Sequence, residues 1–382
     1  MNIVYCTIAS ANYLPRVKVL ADSLATHQPG ALLRVLLTEW PERCREISTQ
    51  TGLQFLSPAD VCPDWPQMAF SYDVTEFNTA LKPFLLAYLL EQPGDAVFYL
   101  DPDIEIFGSL DRLEKLAIDH ALILTPHVSE PVAMDGLKPG MDEIIRLGQF
   151  NLCFIGLRRC DEVDSALRWW QEVCIDYCVS DLQRGYFVDQ FWAAALPSFV
   201  QNFHCLRDPE YNVAYWNIFQ RPLERTANGW LCAGRPLKFF HFSGLPQRDL
   251  TLVSRYQNRV SAKKGSALHA LLDNYARQIA ANSWSGFSAE PYSFSRFRDG
   301  RDIAMAERRA FLCLPRDQRR RVADPFERSA HGPAQTRMQG TLVRLVRGVA
   351  ARMGEFADVA AAQGLKGALG QTMRYLGRAV FR

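Results

Sequence analysis

Two carboxylates stand one residue apart in Phe98-Tyr99-Leu100-Asp101-Pro102-Asp103-Ile104, where an apolar run ends. Side chains alternate along an extended chain, so alternation would point both carboxylates to one side. Close like charges repel and call for a compensating cation. Hard oxygen ligands suit Mg2+ or Mn2+ held together with a substrate phosphate. Such an ion can act as a Lewis acid on a departing diphosphate. Asp and Pro are also turn formers, so a solvated turn is the plain alternative; the apolar strand ahead of the pair weighs for the site. A second feature follows 138 residues later, in Phe239-Phe240-His241-Phe242-Ser243-Gly244. A histidine in an apolar strand is commonly a core residue, yet a neutral imidazole also serves as a third ligand for Mn2+. Gly244 would let backbone approach a phosphate closely.

These residues need elements to hold them. Residues 2–8 read as a buried strand, rich in β-branched and aromatic residues. A polar break at Ala9–Asn12 precedes a helix over Pro15–Thr26, with Pro15 well placed in its first turn. Strands are expected at Ala31–Leu37, Gln54–Leu56, Ala96–Leu100, Ala121–Thr125, Phe150–Leu157 and Leu237–Phe242. Helices are expected to close at Ile47–Gly52 and to run over Thr79–Leu90, Val163–Cys178, Val188–Leu196 and Ala267–Ala281. Apolar strands alternating with helices predict a parallel sheet covered on both faces. In such sheets ligands bind beyond the carboxyl ends of the strands, which is where Thr7–Asn12 and Asp101–Asp103 fall.

The order apolar strand, Asp-x-Asp, Asn-containing strand, Asp-Gln and His-x-x-Gly resembles the GT-A-fold nucleotide-sugar glycosyltransferases. It is most similar to the retaining family-eight type, which includes bacterial lipopolysaccharide galactosyltransferases and glycogenin. The resemblance covers roughly residues 1–250, and it is carried by the order and spacing of motifs that are weak singly. It implies an α/β, Rossmann-like, mostly parallel sheet flanked by helices, with an α-helical C-terminal extension. It implies that Asp101, Asp103 and His241 are metal ligands, and that Thr7, Ala9 and Asn12 lie in the loop that cradles the donor's base and ribose. Tyr13 lies beside that loop, with hydrophobic packing as an equal reading. Lys82 matches a basic residue facing the diphosphate or donor sugar, its alternative being a solvated helix lysine. Asp101 and Gly244 join the donor-binding set. Asn151 matches an asparagine near the donor sugar, although Cys153 stands where the family usually has glycine. Asp189 and Gln190 match a pair beside the anomeric carbon, the alternative being a carboxylate favoured at a helix N-terminus. The family's lysine shortly after His-x-x-Gly is absent, and Arg248 is the substitute the sequence suggests. Residues 208–217, rich in aromatics and amides, suit either sugar stacking or packing under a loop.

The resemblance implies Mn2+ or Mg2+ as cofactor, a nucleoside-diphosphate sugar, UDP-linked, as donor, and a glycan or lipid-linked acceptor in surface polysaccharide synthesis. An oxocarbenium-like transition state is expected, with Asn151, Asp189 and Gln190 as the catalytic set. The alternative is a nucleotide-sugar or glycan-binding module without turnover. A nucleotidyltransferase fits less well, because Ala9-Ser10-Ala11-Asn12 has neither glycine nor lysine to hold a triphosphate.

Composition bounds the rest. The 382 residues are 48% hydrophobic and 22% charged, as in globular proteins. No apolar stretch is long enough for a transmembrane helix, and the N-terminus lacks a basic secretory leader. Ten cysteines form neither a zinc nor a disulfide framework, which fits a reducing cytosol. The formal charge of +2 hides a division: residues 1–260 sum to −9 and residues 261–382 to +11. We therefore expect a catalytic domain at 1–260, an Arg-rich helical extension at 261–335 and a basic amphipathic tail at 336–382. That tail would make peripheral contact with the inner face of a membrane, or dock on protein. Nothing upstream supplies a nucleic-acid recognition motif, so no nucleic-acid partner is expected.

Overall fold

The computed structural model describes residues 1–246 and 248–327. The chain forms two compact units: Met1–Arg296 with Asp302–Pro315, and Phe297–Arg301 with Arg316–Arg382. In the second, the described part is held by Arg298, whose amide donates to Phe326 O at 3.0 Å and whose guanidinium pairs with Asp324 at 3.1 Å.

The first unit carries the chemistry. Its strands are β1 (Ile3–Ala9), β2 (Leu33–Leu37), β3 (Phe55–Leu56), β4 (Ala96–Leu100), β5 (Ile104–Ile106), β6 (Leu122–Pro126), β7 (Phe150–Arg158), β8 (Ser180–Asp181), β9 (Tyr186–Phe187), β10 (Phe203–Cys205), β11 (Leu223–Thr226), β12 (Gly229–Cys232), β13 (Arg235–Pro236) and β14 (Phe239–His241). Seven of them form one sheet in the order β10-β6-β7-β4-β1-β2-β3. All its pairings are parallel except those of β7, which runs against both β4 and β6. The expectation of a mostly parallel sheet flanked by helices holds, and the reversal of β7 corrects the wholly parallel reading. Continuous apolarity reports burial on both faces, not direction: every residue of β4 is buried, and so are the seven central residues of β7.

The main helices are α1 (Leu14–His27), α2 (Pro41–Thr51), α3 (Pro58–Val61), α4 (Trp65–Ser71), α5 (Val74–Ala80), α6 (Lys82–Leu90), α7 (Asp111–Asp119), α8 (Met141–Leu147), α9 (Asp161–Tyr177), α10 (Val188–Ala193), α11 (Ala267–Ala281) and α12 (Met305–Leu312). The single helix expected over Thr79–Leu90 is divided at Leu81. Pro83 has no N–H to donate back and its ring crowds the carbonyl of Thr79, so the chain restarts as α6 with Lys82 and Pro83 in its first turn. α5 begins with a reciprocal cap: Asp73 accepts from the Glu76 amide at 2.9 Å, and Glu76 accepts from the Asp73 amide at 3.1 Å. Residues beyond 260 share the core. Tyr275 of α11 stacks flat on Phe242 with centroids 3.6 Å apart, and Leu271, Leu272 and Ile279 pack with them. The expected tail at 336–382 lies outside the described residues.

Candidate functional site

The acidic pair sits in the three-residue connection Asp101–Asp103 between β4 and β5, not on a strand. What brings Asp101 and Asp103 together is therefore the turn, not strand alternation. A second, two-stranded sheet supplies the partner. β14 pairs antiparallel with β5, His241 opposite Ile104, and the Phe242 amide donates to Asp103 O at 2.9 Å. That register puts His241 Nε2 2.9 Å from Asp103 Oδ1 and 3.7 Å from Asp101 Oδ2. The three ligand atoms lie within 4.8 Å of one another. Burial opposes a charge on His241, but Asp103 and Asp101 outweigh it and the imidazole holds its proton more tightly than usual. Two carboxylate oxygens and an imidazole are a donor set for Mn2+ or Mg2+, with the two hard oxygens the better match to Mg2+. His241 Nε2 is occupied by Asp103, and a cation would take that place. Tyr99, from the end of β4, donates to Asp101 Oδ1 at 2.9 Å and fixes that carboxylate.

A buried ion pair lies next to the turn. Lys82 Nζ, at the start of α6, is 3.0 Å from Asp189 Oδ2 on α10, and both side chains are almost wholly buried. The ammonium also donates to Leu152 O at 3.0 Å and lies over the Tyr99 ring. Lys82 is thus no solvated helix lysine. Burial disfavours its charge, yet Asp189 and Asp101 push its pKa above the usual lysine range. Burial raises Asp189 by more than Lys82 lowers it. Val188, just before Asp189, sits at φ 41°, a costly left-handed conformation for a β-branched residue.

Asn151 and Gln190 meet through their amides. Asn151 Nδ2 donates to Gln190 Oε1 at 3.3 Å, the Leu152 amide donates to the same oxygen at 3.1 Å, and Gln190 Nε2 donates to Leu147 O at 2.7 Å. Asn151 Nδ2 also meets His127 Nε2 at 3.2 Å, so that nitrogen is the acceptor. A register shift between Leu124 and Thr125 sets Thr125 opposite Asn151. Cys153 donates its thiol to Asn212 Oδ1 at 2.8 Å, and Asn212 Nδ2 donates to Thr125 Oγ1 at 2.9 Å. The side chain at 153 therefore ties β7 to the loop after β10.

Thr7 and Ala9 lie near the carboxyl end of β1, both buried, and Thr7 Oγ1 has no hydrogen-bond partner among the described residues. Asn12 follows in a short 3-10 turn, where its Oδ1 accepts from Ser10 Oγ at 2.6 Å. Gly244 adopts φ 66°. A Cβ there would lie 2.6 Å from the Tyr256 ring and 2.8 Å from Ser254 Oγ, so the close approach it permits is to these two residues. Arg248 is exposed. In the 208–217 stretch Tyr211, Asn212, Trp216 and Asn217 are buried, which favours packing over sugar stacking for those four.

His127 is a residue of this cluster that was not singled out from sequence. His127 lies just past β6 and shares the Trp216 ring with His241: ring centroids are 5.3 Å and 5.2 Å from Trp216. The rule that found Asp101, a polar residue where an apolar strand ends, applies equally to Thr125-Pro126-His127. Asn212 and Asn217 lie in the amide-rich stretch 208–217 noted from sequence, but their bonds to Thr125 Oγ1 and His127 O, across 87 and 90 residues, are displayed by no local pattern.

No family model matches the chain. The uncharacterized protein YfnF of Bacillus subtilis (strain 168) is 25% identical over 252 residues, covering 64% of this chain and 82% of that protein. YfnD of the same strain is 27% identical over 173 residues, covering 44% and 53%. Among solved structures, the glycosyltransferase GlyE of Streptococcus pneumoniae TIGR4 superposes with a TM-score of 0.44 at 17% identity, over 78% of this chain and 66% of that one. The galactosyltransferase LgtC, solved with donor and acceptor sugar analogues, gives a TM-score of 0.42 at 14% identity, over 74% and 99%. The chain thus spans about half of YfnD and just under two thirds of GlyE.

Proposed function

We propose that the chain is a metal-dependent glycosyltransferase of the GT-A type. It would move a sugar from a nucleoside-diphosphate donor, UDP-linked by the family resemblance, to a hydroxyl of a glycan or lipid-linked acceptor. The observation that carries this reading is the convergence of Asp101, Asp103 and His241 at the carboxyl end of β4, beside the Lys82–Asp189 pair. A divalent cation held by those three residues would neutralise the charge that develops on a departing diphosphate. Lys82 holds Asp189 at a fixed place and keeps a compensating charge next to it. Asn151 and Gln190 fix one another, so two amides and one carboxylate face the donor sugar from rigid elements, as transition-state stabilisation requires. Retention of configuration follows from the family-eight resemblance.

Donor hydrolysis and transfer, screened over UDP- and other nucleotide-sugars with Mn2+ and with chelator, test the reading. Metal-dependent sugar release that Asp103→Ala removes supports it. A module that only binds nucleotide-sugars would bind donor tightly and release no sugar. Membrane contact through residues 336–382 belongs to the same proposal. No helix among the described residues is long and apolar enough to cross a membrane. Cosedimentation with anionic vesicles, full length against a chain ending at 335, tests it: equal binding rules the tail out.

A further inference from the structure

The resemblance ends near residue 250, yet a later segment lies against the loop after β1 that it assigns to the donor's base and ribose. Asn282, just past α11, donates from Nδ2 to Pro15 O in the first turn of α1 at 2.8 Å. Trp284 shares one buried cluster with Ala9, Ala11 and Leu14, and Tyr13 and Phe287 pack against it. Glu290 pairs with Arg43 of α2 at 3.2 Å. Phe294 sets its ring edge-on to Trp40, with centroids 4.9 Å apart. Ser293, beside it, donates its hydroxyl to the carboxylate of Glu39.

Glu39 stands two residues past β2 and is only 1% exposed. The residue before it already fastens the same loop: the Thr38 amide donates to Ala9 O at 2.8 Å. Burial pushes the Glu39 carboxyl up to about 7; Ser293, the Ala11 amide and Arg43 favour its charged form, and Glu290 opposes it. The other titratable groups around it are Cys44 of α2, pushed up to about 12 by burial and then by Glu39, and Tyr292, whose phenol burial raises far above its usual range. Both therefore stay neutral where Glu39 changes charge. An ionised carboxylate accepts hydrogen bonds more strongly than a neutral one, so the Ser293 contact tightens as Glu39 ionises.

We infer that Glu39 is a positioning residue for the donor's nucleoside, and that the segment 282–294 braces the loop 9–13 through it. The inference rests on the donor reading above and brings into that site a part of the chain outside the resemblance. Glu39 acts through the loop and not on the ligand, because its side chain is covered.

Calorimetry on the full-length chain tests it, following UDP binding with Mn2+ in excess from about pH 6 to about pH 8. We expect Glu39→Gln to match wild type at the acid end and to bind UDP roughly fivefold more weakly at the alkaline end, since an amide cannot gain charge. His241 and the phosphate of UDP also titrate near this range, but alike in both proteins, so the difference between the two profiles isolates Glu39. Affinity for Mn2+ alone should be unchanged. Ser293→Ala should weaken UDP by a similar factor at the alkaline end. In that variant deuterium exchange at residues 10–13 should quicken while residues 4–8 of β1 keep wild-type rates. Thermal melts confirm folding, and Ser293 is only half-buried, so its variant decides where Glu39→Gln does not fold. UDP profiles that run parallel in wild type and Glu39→Gln overturn the role of Glu39. Unchanged loop exchange in Ser293→Ala overturns the brace. Either result leaves the donor reading standing, because UDP still binds. If UDP binds neither the wild type nor the variants, the donor reading and the inference both fall.

Discussion

Asp103 accepts from the proton-bearing imidazole of His241 and shares the three-residue β4–β5 turn with Asp101, so no neighbour can substitute for it. Asp103→Ala should weaken Mn2+ binding by at least about 100-fold, beyond the cost of losing an outer-shell partner; calorimetry reads it directly. The Lys82–Asp189 pair is a different case, because both charges are buried. Lys82→Met strands a carboxylate and should cost about 3–5 kcal/mol in urea unfolding, whereas Lys82→Met with Asp189→Leu should recover most of that. The double variant restores stability without restoring turnover, which separates the structural and chemical roles of the pair. His127 gives a pH signature. Burial drops its pKa to about 4, below the 6.5 of an exposed histidine. The unfolded chain therefore takes up the proton first as pH falls. Stability is full above about 6.5 and declines towards 4, by up to about 3 kcal/mol at the lower limit. His127→Gln, which keeps an acceptor for Asn151, should flatten that part of the stability profile.

At the scale of elements, most of the sheet was legible because burial on both faces writes continuous apolar runs. β4 and α11 fall at the residues their patterns predict, and α1 agrees within two residues. Direction was not legible, since β7 looks the same run either way. Nor was the α5–α6 division anticipated, although Pro83 announces it. At the site, the acidic pair, the histidine and the Asp-Gln pair were found because polar residues at strand ends and helix starts break an apolar pattern. The order in which they meet depends on β5–β14 pairing across more than 130 residues, which no local spacing encodes. The same limit hid Arg308. From α12 it donates to the carbonyls of Ala69, Phe70 and Tyr72 at 2.8–3.1 Å, and to Phe294 O at 2.6 Å. It thereby satisfies the orphan carbonyls at the end of α4. Arg308→Met should lower unfolding free energy by about 2–3 kcal/mol, because buried acceptors lose a charged donor; chemical denaturation checks it.

For the whole molecule, the charge boundary near residue 260 and the packing boundary differ in place. The first compact unit runs on through Arg296 and takes in Asp302–Pro315. A chain ending at 260 would lose the Tyr275 face that covers Phe242, next to His241. We expect it to aggregate or unfold, and a chain ending at 327 to fold and bind Mn2+ like full length; gel filtration and calorimetry distinguish the two. The reversed strand has a further consequence for the time the backbone spends open. β7 is bonded on both sides, by β4 and by β6, and Phe154, Ile155 and Gly156 lie in its buried middle. Their amides should exchange with solvent deuterium only when the whole unit unfolds. Because β7 runs backwards, its first residues, not its last, reach the edge where β4 delivers Asp101. Asn151 therefore stands at the border between the slowest-exchanging backbone and the segment 127–149 that carries the short helix α8. Deuterium uptake followed residue by residue along 127–158 should show that border as a step at Asn151.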